Sequence, residues 1–402
     1  MFHAAREPTL APVPSSRTPH LTAKLQGFGT TIFAEMSALA TATGSVNLGQ
    51  GFPDSDGPRE VLDAAIDAIN GGLNQYPPGP GMPVLRQAIA AHQERFYGLQ
   101  YDPDSEVLVT AGATEALAGA LLALLDTGDE VVVLEPMFDS YAPCIAMAGA
   151  ITKPVTIRPP SYTFDPDELR AAITPKTRLI LFNSPHNPTG RVFSREEVQC
   201  IADLAIEHDL LVVTDEVYEH LIFDGLEHVA LAALPGMRDR TLVISSGGKT
   251  FSTTGWKIGW ICGPAPLVSA VRTAKQFLTY VSGGPFQPAV AVGLGLPDEF
   301  FTGLAADMQA KRDRLMPGLI EAGFTVFPTQ STYFVTVDIR PLQPDGNGME
   351  FCRHLPHRCG VVAIPTEVLY LNKHEGRHLV RFAFCKQLDV LDEAVRRLKT
   401  LG

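Results

Sequence analysis

Lysine chemistry marks one stretch of the sequence: Ser246, Gly247, Gly248 and Lys249, followed by Gly255, Trp256, Lys257, Ile258 and Gly259. A lysine held beside a pocket by glycines and hydroxyls loses its proton when it is desolvated or set near another cation, and the free amine then attacks carbonyls. Lys249 is the candidate nucleophile, and Schiff-base formation is its chemistry. Ser246, three residues before it, and Lys257, eight residues after it, add a hydroxyl and a second ammonium. That pair suits a dianionic phosphate, which needs several donors and a compensating positive charge. A lone lysine in a Gly-rich loop is more often a solvated charge, so the reading depends on what the rest of the chain adds.

The element that must position Lys249 is the apolar, β-branched run Leu242-Val243-Ile244. It has the character of a buried strand, and the Ser/Gly cluster after it ends that strand sharply, which places Lys249 on a turn at a strand end. Other buried strands end in the same way. Val107 to Thr110 leads into Ala111-Gly112-Ala113-Thr114 and an apolar helix. A small-residue turn there leaves N–H groups free at the helix's positive end, where phosphate binds well. Glu130 to Leu134 leads into Glu135-Pro136-Met137-Phe138, which can lay Phe138 over a flat heterocycle.

Arg178 to Asn183 ends in Ser-Pro-His-Asn-Pro-Thr-Gly, which points the Asn187 amide into the crevice where ligands of open α/β sheets bind. Leu210 to Thr214 ends in Asp215, a buried carboxylate that is costly unless it faces a cation. Far downstream, Arg381 lies inside an apolar strand and needs an anionic partner. Upstream, the Pro/Gly-rich stretch from Asn74 to Gly81 makes a rigid loop that presents Tyr76. The periodicity predicts helices over about 31–42, 58–70, 270–280 and 300–322, with a loop over about 281–287 and late strands over about 333–337, 361–364 and 379–384. Strand, small-residue turn and helix alternate over about 107–263, so the fold class is α/β with a mostly parallel sheet between helices.

The Lys249 string resembles the cofactor-lysine segment of the fold-type I, class I and II aminotransferases, Ser-x-x-Lys followed by Gly-x-[Arg/Lys]-x-Gly. Similar family strings recur in order at Asn47-Leu48-Gly49-Gln50-Gly51, Asn74-Gln75-Tyr76, Gly112-Ala113-Thr114, Glu135-Pro136-Met137-Phe138, Asn187-Pro188-Thr189-Gly190 and Arg381. The resemblance runs from about Phe33 to Lys399. It implies pyridoxal 5'-phosphate as cofactor, bound covalently through Lys249. Its phosphate would be held by Ser246, Lys257, Ala113, Thr114 and Tyr76 of a neighbouring subunit, and its ring stacked by Phe138. Asn187 and Tyr218 would hold its phenolic oxygen, and Asp215 its pyridine nitrogen. Gly51, Asn187 and Arg381 would receive the substrate carboxylate. Lys249, Asp215 and Tyr218 are thereby the catalytic set, no metal is involved, and the active site is shared across a homodimer. Lys257 stands where many relatives carry arginine, a point charge in place of a fork.

The same resemblance implies a fold-type I pyridoxal-phosphate transferase with three parts. An N-terminal tail and arm over 1–50 packs partly with the small domain, a large cofactor-binding domain spans 51–295, and a smaller α+β domain spans 296–402. The strings Phe33-Ala34-Glu35-Met36, Asn74-Gln75-Tyr76-Pro77-Pro78-Gly79 and Gly255-Trp256-Lys257-Ile258-Gly259-Trp260 are most similar to the N-succinyldiaminopimelate aminotransferases of actinobacteria. That branch implies transfer from N-succinyl-LL-diaminopimelate to 2-oxoglutarate in lysine biosynthesis. No residue of the sequence by itself reads a succinyl group. A broad kynurenine, glutamine or methionine aminotransferase and a cysteine-conjugate β-lyase remain as alternatives. A regulatory aminotransferase-like domain would need a DNA-binding module, and no basic helix-turn-helix fits before Phe33.

A formal charge of −12 argues against bulk nucleic-acid binding. The six cysteines are scattered without a Cys-x-x-Cys pair or a zinc spacing, which favours reduced thiols in a cytoplasmic protein. The first twenty residues, rich in proline and small polar residues, lack the apolar core of a signal peptide and are expected to be a loose tail. No apolar run reaches the length of a membrane span.

Overall fold

The apolar runs become the strands of one seven-stranded sheet. Its spatial order is Val107–Ala111, Ile258–Cys262, Thr241–Ser246, Leu211–Asp215, Thr177–Asn183, Glu130–Glu135 and Ile151–Thr156. These coordinates come from a computed structural model that describes residues 20–29 and 31–401. Of the first twenty residues, expected to be a loose tail, 1–19 lie outside the described residues. Successive side chains alternate between the two faces of each strand. Leu179 and Leu181 pack under the helix Gly112–Leu124, while Ile180 and Phe182 join the cluster under Arg195–Glu207. A sheet buried on both faces explains why these strands read as continuous apolar runs.

The expected mostly parallel sheet is found, with one reversal. Ile258–Cys262 runs antiparallel to both neighbours, Val107–Ala111 and Thr241–Ser246. A parallel return needs a crossover of a dozen or more residues. The segment between Ser246 and Ile258 is too short for that, so the chain turns back on itself just past Lys249. Asn183 and Asp215 pair in register, and so do Asp215 and Ile244. The carboxyl ends of the parallel strands therefore line up along one edge.

A second, four-stranded antiparallel sheet orders Ile364–Pro365, Leu379–Ala383, Phe334–Asp338 and Thr325–Val326. The helices Asp298–Glu321, Gly348–Cys359 and Leu388–Leu398 contribute to its core. The N-terminal arm belongs to this core as well. Its helix Ile32–Thr43 is capped where Thr31 Oγ1 accepts from the Ala34 N–H, and it stops at Gly44, whose φ of 62° suits a residue without Cβ. Val46–Asn47 then pairs in parallel with Val361–Val362.

The helix expected over 270–280 is displaced: it spans Ala265–Lys275. Pro264 is its N-cap, and Pro266 lies in its first turn, where the missing N–H breaks no helical bond. Beyond its end, the Glu115 carboxylate accepts from both the N–H and the hydroxyl of Thr279, and Lys275 Nζ donates to the Tyr280 carbonyl. Those bonds hold 276–285 in turns until the helix Phe286–Leu294 begins. Among the described residues no single helix is long and apolar enough to cross a membrane.

Candidate active site

Lys249 lies in a one-turn helix, Gly247–Thr250, rather than in an open turn, immediately after the strand Thr241–Ser246. Its Nζ donates to the Tyr333 hydroxyl at 2.9 Å, and that hydroxyl donates to the Gly51 carbonyl at 2.6 Å. The rings of Tyr333 and Tyr218 flank the amine. Desolvation pushes the Lys249 pKa down to about 8, with Arg381 and Lys257 acting in the same sense and Cys385 and Asp215 against it. About a tenth of the amine is therefore unprotonated at pH 7, against well under a hundredth for an ordinary lysine.

Asp215 ends the strand Leu211–Asp215 and is buried. Burial pushes its pKa up, opposed by the Tyr141 hydroxyl, which donates to Oδ2 at 2.6 Å. Asn183 holds the strand ends together: its Nδ2 donates to the Asp215 carbonyl, and its Oδ1 accepts from the Asn187 N–H, each at 2.7 Å. Thus Asn187 and Asp215, from different strand ends, are fixed against each other.

At the far side, Lys257 adopts a left-handed backbone with φ 55° and brings its amine against the turn at Gly112. A Cβ on Gly112, whose φ is +74°, would sit 3.2 Å from Lys257 Nζ. A Cβ on Gly259 would stand 2.5 Å from the Gly112 carbonyl carbon and 2.7 Å from the Ala113 nitrogen. The missing side chains let an ammonium approach the N-terminus of the helix Gly112–Leu124, a favourable place for an anion.

These groups share one cavity of about 250 Å³. Lys249, Asp215, Tyr218 and Asn187 line it on the strand side, Phe138 lies on its wall, and Ala113, Thr114, Ser246 and Lys257 close the end near the helix. Lys249, Tyr218, Asn187 and Phe138 also line an adjoining cavity of about 230 Å³, which contains Gly51 and Arg381. Arg381 is 3% exposed and stacks 3.9 Å over the Phe334 ring. Its Nη1 donates to Asn187 Oδ1 at 3.2 Å and its Nη2 to the Gly49 carbonyl at 3.3 Å, while Nε has no partner among the described residues. Among the described residues it has no ion pair. Desolvation lowers its pKa to about 10.

The structure therefore brings together every residue singled out from the sequence except Tyr76. That side chain is 83% exposed, packed edge-on against Tyr280 outside the cavity of its own chain. Three residues that sequence reasoning missed are Tyr333, Tyr141 and Asn183. Asn183 carried a local signal, a polar residue closing an apolar strand. The two tyrosines act across long sequence distances and carried none.

Residues 43–398 match the family model of the class I and II aminotransferases, and the chain belongs to that family. Among its relatives is a protein described as a probable N-succinyldiaminopimelate aminotransferase, DapC, of Mycobacterium tuberculosis. The two are 53% identical over 390 residues, covering 94% of this chain and 98% of the relative. The methionine aminotransferase of Escherichia coli is 40% identical, with 97% and 98% covered. In solved structures, the N-succinyldiaminopimelate aminotransferase of M. tuberculosis superposes with a TM-score of 0.93 at 54% identity, covering 95% of this chain and 100% of that one. The chain is an aminotransferase of fold type I.

Proposed function

We propose that this aminotransferase uses pyridoxal 5'-phosphate to move an amino group from N-succinyl-LL-diaminopimelate to 2-oxoglutarate. The single observation behind the cofactor is the Lys249 amine, depressed to a pKa of about 8 in the same cavity as the buried Asp215 carboxylate. The donor assignment rests on the 53% identity over nearly the whole chain.

The residues fit the cofactor at each end. The Gly112 turn, which a Cβ would crowd, takes the phosphate together with Ser246, Lys257, Ala113 and Thr114. Asp215, a buried acid to which no guanidinium or ammonium among the described residues is bonded, suits a protonated ring nitrogen. Phe138 covers the ring, and Tyr218 and Asn187 hold its oxygen. Because Asn187 Oδ1 already accepts from Arg381, the Asn187 amide N–H groups are left for that oxygen. When bound, pyridoxal phosphate supplies the carbonyl that captures the amine and the cationic ring that draws electrons from the α-carbon.

This chain's residues then orient and move protons. Arg381 holds the donor's α-carboxylate with its planar fork, beside the Gly51 backbone. Lys249, once its amine is free, would take the α-proton as general base and return it to the carbon on the far side of the amino nitrogen. Tyr333 keeps that amine on the correct side. A two-stage reaction of this kind predicts ping-pong kinetics.

The assembly we propose is a homodimer with shared sites. Tyr76, Phe277 and Tyr280 leave a large aromatic surface exposed on the single chain, the mark of an interface, and Tyr76 would reach the partner's phosphate. The six free thiols suit the reducing cytoplasm.

The deciding experiment is a half-reaction. The yellow purified enzyme, without keto acid, is titrated with N-succinyl-LL-diaminopimelate, glutamate, kynurenine and methionine while its visible absorption is followed. Rapid bleaching by the succinylated donor and glutamate supports the reading. Faster bleaching by kynurenine or methionine replaces it with a broad-specificity enzyme.

A further inference from the structure

The cavity that holds Arg381 continues outward. Past Thr31, Phe33, Phe138, Asp139 and Leu369, which line both spaces, it opens into a groove of about 370 Å³. Phe28, Ile32, Met137, Pro143 and Leu371 give that groove largely apolar walls. Among the described residues, two of those lining it are charged. Asp139 lies at the inner junction, where the charge of Arg381 and the backbone N–H groups of Asp139 and Ser140 answer its carboxylate. Lys373 is on the outer groove and, among the described residues, makes no hydrogen bond or ion pair.

The backbone that carries Lys373 is fixed. The buried Glu135 carboxylate accepts from the N–H groups of Leu371 and Asn372 at 2.7 and 3.3 Å and from the Asn372 side chain. The Met137 N–H donates to the Leu369 carbonyl at 2.8 Å. The groove's outer wall is thus strapped to the end of the strand Glu130–Glu135, and a short helix starts at Lys373. A flexible ammonium on a fixed base, with no internal partner, is available to an anion.

We infer that this groove is the subsite for the acyl arm of the donor and that Lys373 binds the arm's terminal carboxylate. The inference rests on the proposed succinylated donor and supplies what the sequence could not, a cation for its far end. The ligand class is an N-acyl amino acid whose acyl chain ends in a carboxylate. Its methylenes lie along the apolar walls, where each buried CH₂ contributes to affinity. Its charge reaches Lys373, the one cation that lines the groove among the described residues.

The test compares donors in the half-reaction of the intact, cofactor-loaded enzyme. Lys373→Met and Lys373→Glu are titrated with N-succinyl-LL-diaminopimelate and with methionine, which has no acyl arm. Removing the charge should raise the half-saturating concentration of the succinylated donor about fivefold, the upper range for an exposed ion pair. Reversing it should raise it further, with the limiting rate unchanged and methionine unaffected. Equal effects on both donors, or none on either, overturn the subsite while leaving the donor assignment standing. If the wild-type enzyme does not react with the succinylated donor, the donor assignment fails and the subsite falls with it.

Discussion

Lys249 Nζ and the Tyr333 hydroxyl stand 2.9 Å apart, and the same hydroxyl bonds the Gly51 carbonyl at 2.6 Å. One phenol therefore ties Lys249, just past the end of a large-sheet strand, to the Gly51 backbone that borders the Arg381 cavity. Tyr333→Phe removes both bonds and keeps the ring. At about 1 kcal/mol per neutral hydrogen bond, losing the two should slow the half-reaction by about thirtyfold. Stopped-flow absorbance with saturating glutamate gives that rate; a variant as fast as the parent would show that the phenol does not hold the amine.

The amine itself should titrate low. In cofactor-free protein, acylation of Lys249 should rise with pH around a midpoint of about 8. An ordinary lysine titrates near 10.4. The shift is downward, so the folded state disfavours the charged amine. Its unfavourable contribution to stability is full below pH 8 and disappears as pH rises toward the unfolded value. Peptide mapping of the acylated protein at a series of pH values locates the midpoint, with Lys249→Ala as blank. The Ala variant should also lose turnover entirely.

Arg381 is buried with its fork only loosely satisfied by two neutral oxygens at 3.2 and 3.3 Å. A carboxylate should take their place more strongly. Arg381→Ala should raise KM by about a hundredfold, the range of a charge-assisted bond. It should do so for every amino donor alike, since all share the α-carboxylate. Steady-state kinetics with glutamate, methionine and the succinylated donor measure this. An effect confined to one donor would place Arg381 elsewhere in recognition.

Tyr76 is outside its own chain's cavity, so the role proposed for it depends on a second copy. Tyr76→Phe should leave the proposed dimer intact and weaken retention of pyridoxal phosphate by about tenfold, roughly one hydrogen bond to a charged group. Gel filtration followed by cofactor quantification on dilution reads both. Unchanged retention would remove Tyr76 from the site.

How legible the site was follows from where its parts sit. Asp215, Asn187 and Lys249 each follow an apolar run that ends in turn chemistry, so local pattern placed them at strand ends, and register then aligned those ends. Tyr141 reaches Asp215 across 74 residues and Tyr333 reaches Lys249 across 84. No periodicity encodes such pairings. The same holds for Glu135, whose side chain anchors residues 371 and 372 from more than two hundred positions away. The antiparallel strand Ile258–Cys262 is apolar like its neighbours, and only the short connection from Lys249 dictates its direction.

The glycines of the Gly-x-Lys-x-Gly string show the difference most sharply, because the sequence marks Gly255 and Gly259 alike. A Cβ on Gly255 meets nothing within 4 Å, whereas one on Gly259 runs into the backbone of Gly112 and Ala113. Gly255→Ala should therefore fold and bind pyridoxal phosphate as the parent does. Gly259→Ala must push the strand Ile258–Cys262 away from the Gly112 turn, and overpacking of this kind costs about 1–3 kcal/mol. Since Lys257 lies two residues before Gly259 and abuts that turn, the displacement should also open the anion cradle. Thermal denaturation of the cofactor-free proteins, followed by titration with inorganic phosphate, separates the two effects. Gly259→Ala is expected to melt lower and to be stabilised less by phosphate. If both variants behaved alike, the close approach of the strand to the turn would not be what holds the phosphate end of the site.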